Sequence, residues 1–251
     1  MSEHRTLLRS ASLVTAITLL SRIFGYIRDQ RIAFLLGTGV VADAYTIAYM
    51  IPNLLRRLVG EGAVSAAFIP IFSKYIARDN REDGWEFANS LITFVTLVMT
   101  LVTVLGILFS PLLVRAIAYG FVESPGKLEL TVLLNRIMFP YIFFISLSAM
   151  AMGILNSFHK FAAPAFAPVL LNLSIITVSF LTPLFPSSEQ ALAVGVVIGG
   201  IVQVVVQIPQ LLRTGWNFRP QLNLADAAVR KAGRLMVPVV AGAGVAQLNF
   251  V

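Results

Sequence analysis

The feature that most limits what this chain can fold into is a succession of apolar stretches, each reaching the roughly 20 residues that a helix needs to cross a bilayer. Six can be drawn, at about residues 7–36, 41–72, 87–119, 130–158, 164–184 and 191–212. A further apolar run, 235–251, reads as the start of a seventh, and the chain stops inside it without a polar flank, as an N-terminal part of something longer would. Composition agrees: 57% of residues are hydrophobic and 12% charged, with mean hydropathy +0.84, against about 25% charged in soluble domains. The expected fold class is therefore all-α, a polytopic transmembrane helical bundle.

Between the spans lie short polar connectors. One holds Lys74, Arg78, Asp79, Arg81, Glu82 and Asp83, after which Trp85 re-enters at the interface, and another holds Glu123, Pro125, Gly126 and Lys127. A basic connector follows the sixth span, and it contains Trp216 and Pro220. Lysine and arginine concentrate on the cytoplasmic side of membrane proteins. With the N-terminus inside, that side carries Arg5, Arg9, Lys74, Arg78, Arg81, Lys160, Arg213, Arg219, Arg230, Lys231 and Arg234, while the outer side carries Arg115 and Lys127. The run after Arg5 and Arg9 is not a signal peptide, because no small-residue cleavage pattern follows and the helical pattern continues past it.

Net charge is +7, but the basic residues are scattered between apolar spans, which disfavours nucleic acid as a partner. There is no cysteine, so disulfides and thiolate metal sites are excluded, and His4 and His159 stand alone, so no metal site is expected. No phosphate-binding glycine loop, metalloprotease motif or nucleophile elbow is present, so neither enzyme chemistry nor a cofactor is expected.

Charge inside a span needs a reason, since an arginine near the middle of one is unfavourable by about 2.5–3.5 kcal/mol on insertion scales. The first span contains Ser21-Arg22-Ile23-Phe24-Gly25-Tyr26-Ile27-Arg28-Asp29. At about 100° per residue, Arg22, Gly25 and Asp29 share a helix face with Arg28 at its edge, while Arg31 lies opposite, near the outer end. One reading is an ion-pair network, Arg28 with Asp29 or Asp43, that fixes helix packing. The other is a site for an anionic headgroup, because guanidinium matches phosphate through paired hydrogen bonds. The second span repeats the theme with Asp43 and then Pro52-Asn53-Leu54-Leu55-Arg56-Arg57-Leu58-Val59-Gly60-Glu61. Arg57 and Glu61 are four apart and can pair, leaving Arg56 less compensated; both arginines can also serve as anchors at the membrane edge.

Asn135 and Arg136 open the fourth span as interface anchors. Asn156, Asn172, Gln203 and Gln207 read as interhelical hydrogen-bonding residues, and Gly195 with Gly199-Gly200 suits close helix packing. Prolines 52, 140, 168 and 209 fall inside spans, where each permits a kink.

Taken together, Ser21-Arg22 with Gly25 and Arg28-Asp29, Asp43-Ala44, Pro52-Asn53-Leu54-Leu55-Arg56-Arg57 with Glu61-Gly62-Ala63, Phe139-Pro140-Tyr141, Pro164-Ala165-Phe166-Ala167-Pro168 and Leu171-Asn172 resemble the MurJ (MviN) lipid II flippases. These belong to the multidrug/oligosaccharidyl-lipid/polysaccharide exporter superfamily. The resemblance covers essentially all 251 residues but only the first half of a family member. Met50 and Arg31 depart from the pattern.

The resemblance implies the first lobe of a two-lobed transporter: an N-terminal lobe over 1–213, a basic cytoplasmic connector over 214–234, and the start of the seventh helix over 235–251. It implies outward movement of lipid II, the undecaprenyl-diphosphate-linked peptidoglycan precursor, across the bacterial plasma (inner) membrane. It places the family's cavity arginines on Arg22, Arg28 and Arg56, with Asp29, Asp43, Arg57 and Glu61 as supporting ion pairs or gating residues. Implied partners are lipid II, membrane lipids and other cell-wall synthesis proteins. The alternatives are a flippase for another lipid-linked oligosaccharide and a drug or cation antiporter of the same superfamily; the arginine excess argues against the antiporter. One further trace, Arg5 and Arg9 before the first span matched by Arg230 and Arg234 before the last, hints at the internal repetition common in transporters.

Overall fold

The computed structural model describes residues 2–56, 64–124, 126–223 and 225–235, and these are helical and irregular, with no strand among them. In chain order the helices are α1 (Ser2–Leu36), α2 (Val40–Arg56), α3 (Val64–Ala77), α4 (Arg81–Leu108), α5 (Ser110–Ile117), α6 (Lys127–Met138), α7 (Tyr141–Ser157), α8 (Ala162–Ser179), α9 (Ser188–Val205) and α10 (Ile208–Leu212). Short 3-10 turns occupy Tyr119–Glu123 and Thr182–Leu184, and residues 227–235 are helical again.

Arg81–Leu108, Lys127–Ser157, Ala162–Ser179 and Ser188–Leu212 are long and apolar enough to cross a membrane. At about 1.5 Å per residue, the 35 residues of α1 reach roughly 52 Å, well beyond a hydrocarbon core of about 30 Å.

Several expected boundaries move. Of the single span drawn over 41–72, α2 and α3 are described, and residues 57–63 between them lie outside the described residues. The helix expected from residue 87 already starts at Arg81, so Arg81, Glu82 and Asp83 of the expected connector form its first turn, with acidic side chains at the helix N-terminus, where the macrodipole favours them. That helix ends at Leu108, and Pro111, tolerated in a first turn where no N–H is required, starts a separate α5. Pro140 divides the fourth span into α6 and α7, and Pro209 divides the sixth into α9 and α10. Pro52 and Pro168 lie within α2 and α8. The fifth span closes at Ser179.

α8 packs most extensively on α9 and α1, with α2 on α6 and α7 on α9 next. Small residues allow this approach: a Cβ on Gly199 would stand 3.1 Å from the Leu171 Cα, and one on Gly200 would stand 2.8 Å from the Tyr141 ring. Three apolar clusters result. One joins α3, α4 and α7 through Phe68, Phe72, Phe87, Leu91 and Ile154 and takes in Leu211 and Val229. A second joins α2, α6, α7, α8 and α9 through Ala48, Leu134, Tyr141, Ile175 and Val196. The third gathers Ile51, Val114, Val132, Phe139 and Ile142. Leu97, Leu101, Leu108 and Phe109 stay exposed along α4 and its end, a continuous apolar face suited to lipid.

The segment after α10 lies against α4. Trp216 Nε1 donates to Asn89 Oδ1 (3.1 Å), Asn89 Nδ2 donates to the Asn217 carbonyl (3.1 Å), and the Gln221 backbone N–H donates to Thr93 Oγ1 (3.3 Å). Asp226 then starts the helix over 227–235 by accepting the Val229 N–H at 3.1 Å.

Candidate functional site

The polar stretch of α1 meets α8 at Arg28. Its Nε and Nη2 donate to Asp29 Oδ1 (2.9 and 2.7 Å), and its Nη1 donates to Asn172 Oδ1 (2.8 Å). Asn172 Nδ2 in turn donates to the Ser21 carbonyl at 3.0 Å, tying the amide to the same helix twice. Arg28 is half-buried, whereas the Asp29 side chain is 62% exposed. Asp29 thus orients the guanidinium from the open side while Asn172 holds it from within. A guanidinium has five N–H donors. The three contacts above leave one on each terminal nitrogen, the pair that grips a phosphate or carboxylate in bidentate fashion.

Arg28 lines a cavity of about 440 Å³ formed with α2, α7, α8 and α9; Tyr49, Asn53, Ser148, Asn172 and Gln203 supply further polar lining, and Ile145, Met152 and Leu171 the apolar part. A cationic group at the edge of such a cavity suits a ligand with a charged head and an extended apolar portion. Among the described residues there is no group of three or more histidine, aspartate or glutamate side chains that could hold a metal.

The structure brings together only part of the expected set. Arg22 is exposed on α1 and does not line the cavity. Arg56 ends α2, one turn beyond the cavity residue Asn53, and its side chain lies outside the described residues, as do Arg57 and Glu61 altogether. Asp43 sits at the far end of α2, ten residues and about 15 Å from Asn53, where Lys127 Nζ contacts its Oδ2 at 2.6 Å. Lys127 also lies 4.0 Å above the Phe121 ring. Of the two carboxylates expected for Arg28, then, Asp29 is the partner, because Asp43 is occupied by Lys127, the first residue of α6. Arg31 faces away from the cavity: it donates to Ser179 Oγ (3.2 Å) and to the Ser179 carbonyl (3.4 Å) at the end of α8, and lies 4.2 Å from the Phe180 ring centroid. Arg136 Nε donates to the Ile107 carbonyl at 3.2 Å, a packing contact.

Tyr49 and Tyr141 are cavity residues that sequence reasoning missed. Tyr45 and Tyr49, four apart and stacked at 6.3 Å, were a readable signal of one polar-aromatic helix face. Asn172 and Gln203 do make the interhelical bonds expected of them, Gln203 Nε2 donating to the Ala167 carbonyl at 2.8 Å, and they also line the cavity.

Comparison with known proteins gives a consistent answer. The family model described as "Lipid II flippase MurJ" matches residues 32–251. A "Probable lipid II flippase MurJ" of Buchnera aphidicola subsp. Acyrthosiphon pisum is 39% identical over 98% of this chain and 48% of its own length. One from Vibrio cholerae serotype O1 is 37% identical over 100% of this chain and 49% of its own length. A solved structure, "Lipid II flippase MurJ, inward closed conformation", superposes with a TM-score of 0.78 at 30% identity, covering 95% of this chain and 49% of that one. The chain thus spans about half the length of the curated relatives it matches. Its α-helical architecture is that of a membrane-transporter lobe, and with the arginine-edged cavity between α1, α2, α7, α8 and α9 it belongs to the MurJ lipid II flippase family.

Proposed function

We propose that the chain is the first lobe of a transporter, not an enzyme, that moves the undecaprenyl-diphosphate-linked precursor lipid II from the inner to the outer leaflet of the bacterial plasma membrane by alternating access. The observation that carries this reading is Arg28, a guanidinium held at the cavity edge by Asp29 and Asn172 with two donors left over. In this reading Arg28 grips the lipid diphosphate, and Arg22 and Arg56 are its proposed partners in the full-length protein. The undecaprenyl tail remains in lipid while the lobes rock about the bound headgroup. The connector 214–234 links this lobe to a second one that begins at 235–251. Its docking on α4 through Trp216 and Gln221 supports a fixed relation between connector and first lobe.

The N-terminus is assigned to the cytoplasm. Supporting this, Lys160 and Arg213 of the residues counted inside share one notch, and Lys74, Arg78 and Lys231 share another. Given that sidedness, an inside-negative potential favours export, by about 2.3 kcal/mol for each elementary negative charge moved across 100 mV.

The test uses the full-length gene in bacteria depleted of their own flippase, with the fraction of lipid II on the outer leaflet as readout. Wild type is expected to restore exposure, and Arg28→Ala, at matched membrane abundance, is not. Restoration by both would make Arg28 structural. Failure by both, with each protein present and folded, would point to another lipid-linked glycan.

A further inference from the structure

Gln203, Gln207 and Gln210 follow one another at i, i+4 and i+7 along the sixth span and so share a face. The Oε1 atoms of all three are buried and accept no hydrogen bond from the protein. Gln203 and Gln207 are 2% and 1% exposed. Their amide orientations are set by the partners at the other end. Gln203 Nε2 donates to the Ala167 carbonyl (2.8 Å), and Gln207 Nε2 donates to Ser148 Oγ (2.7 Å) and to the Gln203 carbonyl (2.9 Å). Turning either amide over would set oxygen against a carbonyl oxygen, so the orphaned ends are the acceptors. A buried acceptor in an apolar span has to find a donor, and lipid offers none. Water does, and buried waters typically bridge such groups.

The two ends of this face open into separate spaces. Gln203 lines the central cavity, and Gln210 lines the notch of about 320 Å³ that Lys160 and Arg213 also border. Gln207 borders neither and lies between them. The backbone is irregular at the same place: α9 ends at Val205 and α10 begins at Ile208, since Pro209 supplies no N–H to the turn before it.

We propose that this face is a hydrated seam, a file of water joining the central cavity to the basic notch. Seven residues span about 10 Å along a helix axis, a length that a file of about four waters at a spacing of roughly 2.8 Å covers. The acceptor-only oxygens order the file, and the cationic mouth at Lys160 and Arg213 disfavours entry of alkali-metal ions, so water is the occupant. The seam lets water reach the cavity from the notch end, independently of any wider opening between lobes.

Residues 1–251 contain no cysteine, so single cysteines can be placed cleanly in the full-length protein, with any cysteine elsewhere changed to serine. The probe is methyl methanethiosulfonate, small and neutral, which reacts with the thiolate and therefore needs a hydrated thiol. Gln207→Cys is the deciding position, with Ile201→Cys and Val205→Cys on the exposed apolar face as references. Modification at position 207 is expected to be at least tenfold faster than at 201 or 205. A rate no faster than theirs overturns the seam. Should Gln207→Cys fail to fold, an experimental density map of the wild-type protein fine enough to show ordered water decides instead. Water within hydrogen-bonding distance of Gln207 Oε1 supports the seam, and a dry, side-chain-filled site there overturns it. Neither measurement depends on the transported substrate, so either result stands apart from the fate of the flippase reading.

Discussion

The Arg28–Asn172 contact is the joint on which the orientation of the cavity charge depends, and a double-mutant cycle measures it directly. Arg28→Met removes the guanidinium, Asn172→Leu removes the amide, and the double variant removes both. In water, a hydrogen bond to a charged group contributes about 1.5–3 kcal/mol. Inside membranes, interhelical side-chain bonds average about 0.6 kcal/mol and reach at most about 1.7 kcal/mol. The Arg28 side chain is 21% exposed at the edge of an open cavity, so the membrane scale governs, and the 2.8 Å charge-assisted geometry places the coupling in its upper half, at about 1 kcal/mol. Asn172→Leu alone also loses the bond to the Ser21 carbonyl, which as a helical carbonyl already accepts its own backbone bond, adding about 0.6 kcal/mol. Asn172→Leu should therefore destabilise by about 1.5 kcal/mol, and the double variant by about 1 kcal/mol less than the sum of the singles. The assay is equilibrium unfolding of the full-length protein in mixed micelles. Independent sites add within about 0.3–0.5 kcal/mol, so a coupling inside that band would refute the reasoning: Arg28 would then not engage Asn172, and its free donors would not be aimed as described.

Two other substitutions probe packing and the far end of the lobe. A Cβ on Gly106 would lie 1.9 Å from Phe139 Cε1 and 2.0 Å from its Cζ, and Phe139 is itself 2% exposed. Gly106→Ala should cost about 1–3 kcal/mol by overpacking, read as a lowered thermal midpoint; an unchanged midpoint would mean that the ring swings clear. Lys127→Ala removes the 2.6 Å pair with Asp43, whose side chain is 56% exposed. Because the contact over the Phe121 ring is lost as well, it should cost less than about 2 kcal/mol in all, an effect that shrinks in high salt; a loss above about 3 kcal/mol would show the site to be shielded from solvent in the whole protein.

The third to sixth spans were legible, as the four helices long and apolar enough to cross a membrane, because hydrocarbon imposes a length and a polarity that no other environment demands. Arg28 was legible for the same reason: charge in an apolar run has few explanations. Boundaries were less so. Whether a proline bends a helix or ends it depends on what packs around it. Pro168 lies inside α8, while Pro140 and Pro209 each separate two helices, and the sequence around them does not announce the difference. Pairing was ambiguous for a related reason. Asp29 and Asp43 were equal candidates for Arg28 until the start of α6, with Lys127, was seen beside α2.

By itself, the sequence determined that this chain crosses a membrane as helices and that the first two spans carry unusual charge. These are properties of local composition and period, and solvent reads them segment by segment. Only the tertiary structure decided which charges face a cavity. Arg28 does, through Asn172 of a helix 144 residues away, while Arg31, three residues on, instead caps the end of that same helix at Ser179. The physical reason is that a side chain's role inside a bundle is set by the partner across the interface, and partners so distant in sequence leave no mark on local pattern.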